Sequence, residues 1–167
     1  MSSQEQMMLS RAVHVRELKA EIARLREENS RLRDAMASLN AHFSLALTAL
    51  EDARRLPEGG RIILVDGWNA ILGAKKEARS RGGLIEKWRG HLESFEKDFV
   101  WIIFDGPVEN VVNEERLRVS YTGGKGPHRA DRFICDYLRA ARYLGCGGRI
   151  EVKTNDRGLV KEAAGLV

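Results

Sequence analysis

The first third of the chain carries apolar side chains at a heptad spacing, which runs from Val15 to Ala53. Heptads sustained over this length are typical of a coiled coil rather than of an ordinary surface helix. The predicted seam is apolar at every position but one. Its most regular part consists of Leu18, Ile22, Leu25, Asn29, Leu32, Met36 and Leu39.

The residues in and beside this seam favour a parallel homodimer. β-Branched residues at the first core position with leucine at the second favour two strands, and a single core asparagine, here Asn29, fixes their register. In a parallel pair, Glu21 faces Arg26 of the second copy and Glu28 faces Arg33, so both flanking contacts are attractive. A single helix folded back into an intramolecular bundle remains the alternative.

The pattern is less regular towards its end, where Phe43, Ala46 and Leu47 broaden the apolar face. That part of the helix could instead pack on the remainder of its own chain. Pro57 ends the helix, and Gly59 and Gly60 predict a flexible joint. We therefore predict a coiled-coil helix over residues 1–56, a linker over 57–60 and a compact domain over 61–167.

Beyond the joint, short apolar runs alternate with amphipathic helical patterns. This alternation is typical of an α/β fold with a mainly parallel sheet. The runs that predict strands are 61–66, 99–104, 117–121 and 149–154, and the predicted helices are 70–76, 84–97, 128–144 and 157–164. The segment 108–115 fits no pattern well, and a helical turn is one interpretation of it.

Acidic residues follow the predicted strands. Asp66, Asp105 and Asp156 close three of them, and Asp131 lies in the first turn of the helix that follows the remaining strand, 117–121. Parallel strands bring their carboxyl ends to one edge, where crowded carboxylates repel one another unless a cation is present. A hard divalent metal such as Mg²⁺ prefers such ligands, polarises phosphoryl oxygens and acidifies bound water. The pattern therefore indicates phosphodiester hydrolysis.

Composition adds only modest constraints. A net charge of +4 mildly favours a polyanionic partner. No apolar run approaches the roughly 18 residues of a membrane span, so we expect no membrane contact. Residues 1–8 lack the basic and apolar regions of a secretory signal, which makes the cytoplasm the expected location.

Four motifs resemble those of the NYN domain family of PIN-like nucleases, particularly its YacP-like branch. Residues 63–69, ILVDGWN, resemble the opening VDGYN motif, with Trp68 in place of tyrosine, and residues 102–106, IIFDG, resemble the second acidic strand. Residues 121–126 with Ala130 and Asp131, and then residues 152–157, VKTNDR, are similar to the remaining two motifs. The resemblance covers residues 61–167.

The resemblance implies a Rossmann-like three-layer α/β/α domain that hydrolyses RNA with Mg²⁺ or Mn²⁺. It implies that Asp66, Asp105, Asp131 and Asp156 bind the metal and that Asn69 orients a water or a phosphate oxygen. Thr154 would hydrogen-bond this acidic group. Two rival functions remain open, a non-catalytic RNA-binding adaptor with the same fold and a nuclease that acts on DNA.

Basic and aromatic residues near the same edge predict contacts with RNA, and favour single-stranded over double-stranded RNA. Basic side chains there would bind backbone phosphates, and the aromatic rings of Trp68 and Tyr121 would stack on bases. The basic residues are Lys75, Lys76, Arg79, Arg81, Lys125, His128, Arg129 and Arg132.

Overall fold

A computed structural model describes residues 3–73, 79–124 and 126–166. Its helices are α1 (Ser3–Arg55), α2 (Gly67–Leu72), α3 (Arg81–Ser94), α4 (Arg129–Tyr143) and α5 (Arg157–Ala164). Its strands are β1 (Ile62–Asp66), β2 (Phe99–Phe104), β3 (Glu109–Asn113), β4 (Leu117–Thr122) and β5 (Ile150–Lys153). None of the described helices combines the length and the apolarity needed to cross a bilayer.

The five strands form one mixed sheet in the order β3-β4-β2-β1-β5. β1 pairs in parallel with β2 and β5, β2 pairs in parallel with β4, and only β3 is antiparallel. The α/β class and the mainly parallel sheet are thus confirmed. The parallel strands β2 and β4 lie on one side of β1, and β5 lies on its other side. The gap between β1 and β5 is therefore a topological switch point, where open α/β sheets bind ligands.

Both faces of the sheet are buried, which explains why its central strands are continuously apolar. Ile62 and Leu64 of β1 pack with α4, α5 and the end of α1. The alternate residues Ile63 and Val65 pack with α2 and α3 on the opposite face. The sheet is thereby held firmly enough to fix the positions of the groups at its carboxyl edge.

Helix α1 belongs to two compact units, because the chain divides between Ala41 and His42. In the first unit the apolar seam side chains are exposed, from 47% at Val15 to 69% at Leu39. In the second unit Ala49 is fully buried and Asp52 is 4% exposed. The end of α1 thus packs on its own globular unit, the alternative that the irregular heptads left open, and the unit boundary lies before the predicted linker.

The segment 57–60 forms a turn that is fixed by hydrogen bonds and close backbone contacts, whereas the sequence predicted a flexible joint. The Gly60 amide donates to the Pro57 carbonyl at 3.0 Å, and a Cβ on Gly60 would collide with the Lys97 carbonyl oxygen. Arg149 donates to the Ala53 carbonyl at 2.6 Å, which satisfies an end of α1. Glycine is required at position 60 by this close approach.

Two local predictions differ from the structure. Residues 109–113 form the edge strand β3 and not a helical turn, and all five of its side chains are exposed. A strand without a buried face shows no apolar alternation, so its pattern could not be recognised. Helix α2 begins at Gly67, earlier than predicted, because the Asp66 side chain caps its first turn.

Candidate functional site

The four predicted acids lie around the carboxyl edge of the sheet. Asp66 is the last residue of β1, Asp105 follows β2, and Asp156 lies three residues beyond β5. Asp131 lies in the first turn of α4, the helix that follows β4. Because β1 pairs in parallel with both β2 and β5, the first three acids share one edge.

Asp66 is 2% exposed and fully hydrogen-bonded. Its Oδ1 accepts from the Asn69 backbone amide at 3.3 Å, and its Oδ2 accepts from the Asn69 side-chain amide and from the Thr154 hydroxyl at 2.9 Å. Hydrogen bonds to both oxygens restrict the rotation of the carboxylate. Asn69 and Thr154 therefore hold Asp66 in one position at the edge.

Thr154 links two of the acids across the switch point. Its hydroxyl donates to Asp66 and accepts from the Asp156 backbone amide at 3.1 Å. Asp156 in turn caps α5, because its Oδ1 accepts from the amides of Gly158 at 2.6 Å and Leu159 at 3.1 Å. The ends of β1 and β5 are thus fastened together at the point where the sheet order reverses.

Asp105 joins β2 to the start of α4. Its Oδ1 accepts from the Ala130 amide at 2.7 Å and from the Thr122 hydroxyl at 3.4 Å. Its backbone carbonyl accepts from the indole nitrogen of Trp68 at 3.0 Å. The bond to Ala130 brings the first turn of α4, which carries Asp131, to the acidic edge.

Asp131 is the acid whose ionisation is most clearly perturbed. Burial raises its pKa, the hydrogen bond from His128 at 3.0 Å lowers it, and the charges of Asp66 and Asp156 raise it again. The net result is a raised pKa. Asp131 therefore lies close enough to Asp66 and Asp156 for their charges to oppose its ionisation.

An open cleft of about 510 Å³ runs from this cluster along α4 and α5. Asp131 and Asp156 line it, together with His128, Arg132 and Glu162. His128 adopts a left-handed backbone conformation, with φ of 58°, at the residue before α4. A strained non-glycine residue is common at functional sites, so its position beside Asp131 marks this end of the cleft.

The donor chemistry of the edge fits a hard divalent cation, although the acids do not form a closed ligand cage. Among the described residues, no group of three His, Cys, Asp or Glu side chains converges sufficiently to hold an ion. Mg²⁺ needs fewer ligands than that, because it usually binds one or two carboxylates and keeps several waters. In the described part of the chain, the hydrogen bonds to Asp105 and Asp156 all reach Oδ1.

Comparisons of the chain with profiles of protein families, with curated proteins and with solved structures gave no match. The resemblance to NYN domains accordingly stays a prediction that depends on the four motifs. The structure adds that these motifs lie at one edge of one sheet. That placement is a property of the fold and does not depend on the resemblance.

The predicted RNA-binding residues occupy different environments. Lys75, Lys76 and Lys125 lie outside the described residues. Arg79 and Arg132 are exposed, and Arg132 lines the cleft beside Asp131. Arg132 is thus placed to contact a ligand in that cleft.

Arg129 has a structural role. Its guanidinium donates to the Thr122 carbonyl at 2.8 Å and occupies the space that a Cβ at Gly124 would need. Its Nε is buried without a hydrogen-bond partner among the described residues. Arg129 therefore fastens the glycine-rich loop to α4, and its side chain is less available to RNA than the sequence suggested.

Trp68 and Tyr121 belong to an aromatic cluster with Phe104 that is covered by Arg81. The guanidinium carbon of Arg81 lies 4.7 Å from the ring centroid of Trp68, 5.4 Å from that of Tyr121 and 5.8 Å from that of Phe104. Sequence reasoning placed Arg81 among the basic residues that would bind RNA phosphates, but it did not place Arg81 next to these rings. The sequence signal for this cluster was an aromatic residue at or just beyond the end of each of three strands, since such residues meet at one edge of the sheet.

Proposed function

We propose that this protein is a metal-dependent ribonuclease with a three-layer, PIN-like α/β/α domain. Asp66, Asp105, Asp131 and Asp156 would hold Mg²⁺ or Mn²⁺ at the switch point of the sheet. The observation that carries the proposal is the position of these acids at one edge of the sheet, where burial and the charges of Asp66 and Asp156 raise the pKa of Asp131. A bound cation would turn this repulsion into attraction.

The metal, when bound, would polarise the scissile phosphodiester and promote attack by water. Two residues of the chain serve this chemistry by position: Asn69 and Thr154 hold Asp66 in place. Arg132, on the wall of the cleft, would neutralise part of the substrate charge. In-line hydrolysis also requires a fixed substrate, which an open cleft next to the acids can accommodate.

A non-catalytic RNA-binding adaptor is the second candidate. It is favoured by the absence, among the residues that the structure describes, of three acids or histidines converged on one point. A DNA-directed nuclease is a third reading, because metal-assisted hydrolysis of a phosphodiester does not itself require a ribose hydroxyl. Both rivals make different predictions for the following experiment.

We expect the purified chain to cleave labelled single-stranded RNA with Mn²⁺ or Mg²⁺, and not in EDTA. Excess Mn²⁺ added after EDTA should restore cleavage, since hydrolysis depends on the bound cation. Gel electrophoresis of RNA and of DNA with the same sequence measures both rates. Equal cleavage of DNA would favour the DNA-directed nuclease. RNA binding without cleavage in either metal would favour the non-catalytic adaptor.

We further propose that α1 forms a parallel coiled coil with a second copy of the chain. The exposed seam continues through Phe43, which is 64% exposed, to Leu47. The face that packs on the globular unit is a different one, formed by Leu45, Ala49 and Asp52. Packing on its own domain thus leaves the seam available to a partner, and the attractive flanking charges favour a second copy.

Sedimentation equilibrium should therefore show a dimer at micromolar concentration. Asn29→Val should raise the melting temperature of the helix and admit higher oligomers, because a core asparagine costs stability but specifies two strands. Leu25→Lys should produce monomers, whereas Arg24→Lys, on the exposed flank, should leave the dimer intact. A monomeric wild-type chain would contradict the proposal.

A further inference from the structure

Arg81 is held in place by three aromatic rings that come from three different parts of the edge. Trp68 lies in the first turn after β1, Phe104 ends β2, and Tyr121 lies next to the end of β4. The rings also fix one another: Trp68 meets Phe104 edge-on at 5.5 Å, and Tyr121 stacks on Phe104 at 5.4 Å. The guanidinium is therefore positioned by the sheet itself, even though Arg81 is an exposed residue.

Contacts with aromatic faces leave the hydrogen-bonding capacity of a guanidinium largely unused. The contacts with the rings are cation–π contacts, which do not use the five N–H donors for hydrogen bonds to oxygen. Among the described residues, no carbonyl or carboxylate oxygen accepts a hydrogen bond from Arg81. This contrasts with Arg129, whose donors bind the glycine-rich loop. Arg81 thus presents a fixed fork of donors that has no acceptor within the described residues.

The position of this fork suits an anion. Trp68, over which Arg81 lies, donates to the backbone carbonyl of Asp105, so the guanidinium is next to the acidic edge. Arg81 is also the first residue of α3, where the helix dipole adds positive potential. A phosphate approaching several carboxylates is repelled, and a fixed cation beside them offsets that repulsion.

We infer that Arg81 binds a backbone phosphate of RNA at the acidic edge through its planar fork. The identity of the polyanion as RNA rests on the proposed function, whereas the contact between Arg81 and a phosphate does not. A guanidinium matches phosphate geometry with two parallel hydrogen bonds, and stacking on rings lowers the entropy lost when those bonds form. Arg81 would therefore contribute more to binding than the other basic residues of the described edge.

The test measures the binding of fluorescein-labelled single-stranded RNA by fluorescence anisotropy, in EDTA and over a range of salt. Arg81→Gln should weaken binding about tenfold or more, as expected for charged hydrogen bonds, and lower the salt slope by about 0.7. Arg81→Lys should keep the slope but lose about threefold or more, because an ammonium lacks the fork. Lys97→Gln is the control, since Lys97 precedes β2 at the opposite edge.

Thermal melting of each variant separates loss of binding from loss of fold. If Arg81→Gln unfolds, Arg81→Lys still tests the inference, because this variant must bind RNA more weakly than the wild type with an unchanged salt slope. Wild-type affinity in either folded variant, or an equal loss in Lys97→Gln, would overturn it. Because EDTA prevents metal-dependent cleavage, a chain that never cleaves RNA could still show the Arg81 effect, and an active nuclease could lack it.

Discussion

Replacing Asp131 by asparagine should lower metal-dependent RNA cleavage by at least about 100-fold while the fold is retained. Even residues that only orient a metal ligand change metal affinity or activity by 10–100-fold in general, so a proposed ligand should cost no less. Asparagine keeps the volume of the side chain but removes its negative charge. Isothermal titration with Mn²⁺ should show the same loss, which makes the test independent of turnover.

The stability of the Asp131→Asn variant is expected to equal or exceed that of the wild type. The pKa of Asp131 is raised in the folded protein, so its carboxylate is harder to ionise there than in the unfolded chain. At neutral pH the charge therefore lowers the free energy of unfolding, and removing it relieves that penalty. The lost hydrogen bond from His128 offsets this only slightly, since the His128 side chain is 69% exposed.

Asp136→Asn is a matched control for Asp131→Asn. Asp136 lies further along the same helix and the same cleft, where it pairs with Arg139 at 2.7 Å. The control removes an equal charge at a greater distance from the cluster and should keep cleavage within about twofold of wild type. Full cleavage by Asp131→Asn would remove Asp131 from the metal site, and an equal loss in both variants would indicate a general charge effect.

Asp66→Asn is a less informative variant than the sequence suggests. Asp66 accepts from both Asn69 and Thr154 at the same oxygen, Oδ2. In the asparagine variant, an amide nitrogen at the Oδ2 position would face the donors of Asn69 and Thr154. If the amide were rotated by 180°, its nitrogen would instead face the Asn69 backbone amide, and that hydrogen bond would be lost. A buried unsatisfied donor costs about 1–3 kcal/mol. Lost activity in this variant would therefore combine a missing charge with a disturbed fold.

The strands that carry the acids could be predicted because their sequences are dominated by burial. β1 is buried at all five positions, so its apolar run and the following aspartate stand out. A shared edge for the acids could be predicted, but which of them are neighbours, such as Asp131 with Asp66 and Asp156, could not. Their proximity depends on β5 lying beside β1, and strand order is decided by packing between distant segments.

The role of Asp52 was missed because a heptad pattern reports only one face of a helix. Asp52 lies off the seam and looks like an ordinary surface charge, yet its partners Arg118 and Tyr137 are 66 and 85 residues away. Arg81 was undervalued for a similar reason, since the three rings that surround it come from separate segments. Long-range polar contacts leave no periodic signal in a single sequence.

Asp52→Ala should lower the free energy of unfolding of the globular unit by about 3–5 kcal/mol, the usual cost of breaking a buried ion pair. The Asp52 carboxylate accepts two hydrogen bonds from Arg118, at 2.9 and 3.0 Å, and one from the Tyr137 hydroxyl at 2.9 Å. Without it, both donors would be left in the interior. Arg118 could not easily turn to solvent, because its guanidinium lies over Trp101 at 4.4 Å.

This variant tests whether the end of α1 is an integral part of the globular unit. Urea denaturation of Asp52→Ala should be compared with that of Glu51→Ala, which removes a charge from the adjacent, exposed position and should change stability by less than about 0.5 kcal/mol. Tyr137→Phe removes one hydrogen bond and should cost about 1 kcal/mol. If Asp52→Ala and Glu51→Ala had the same free energy of unfolding, the end of α1 would not be an integral part of the globular unit. If Asp52→Ala is the less stable variant, as predicted, residues 42–55 must be included with the sheet in any active fragment.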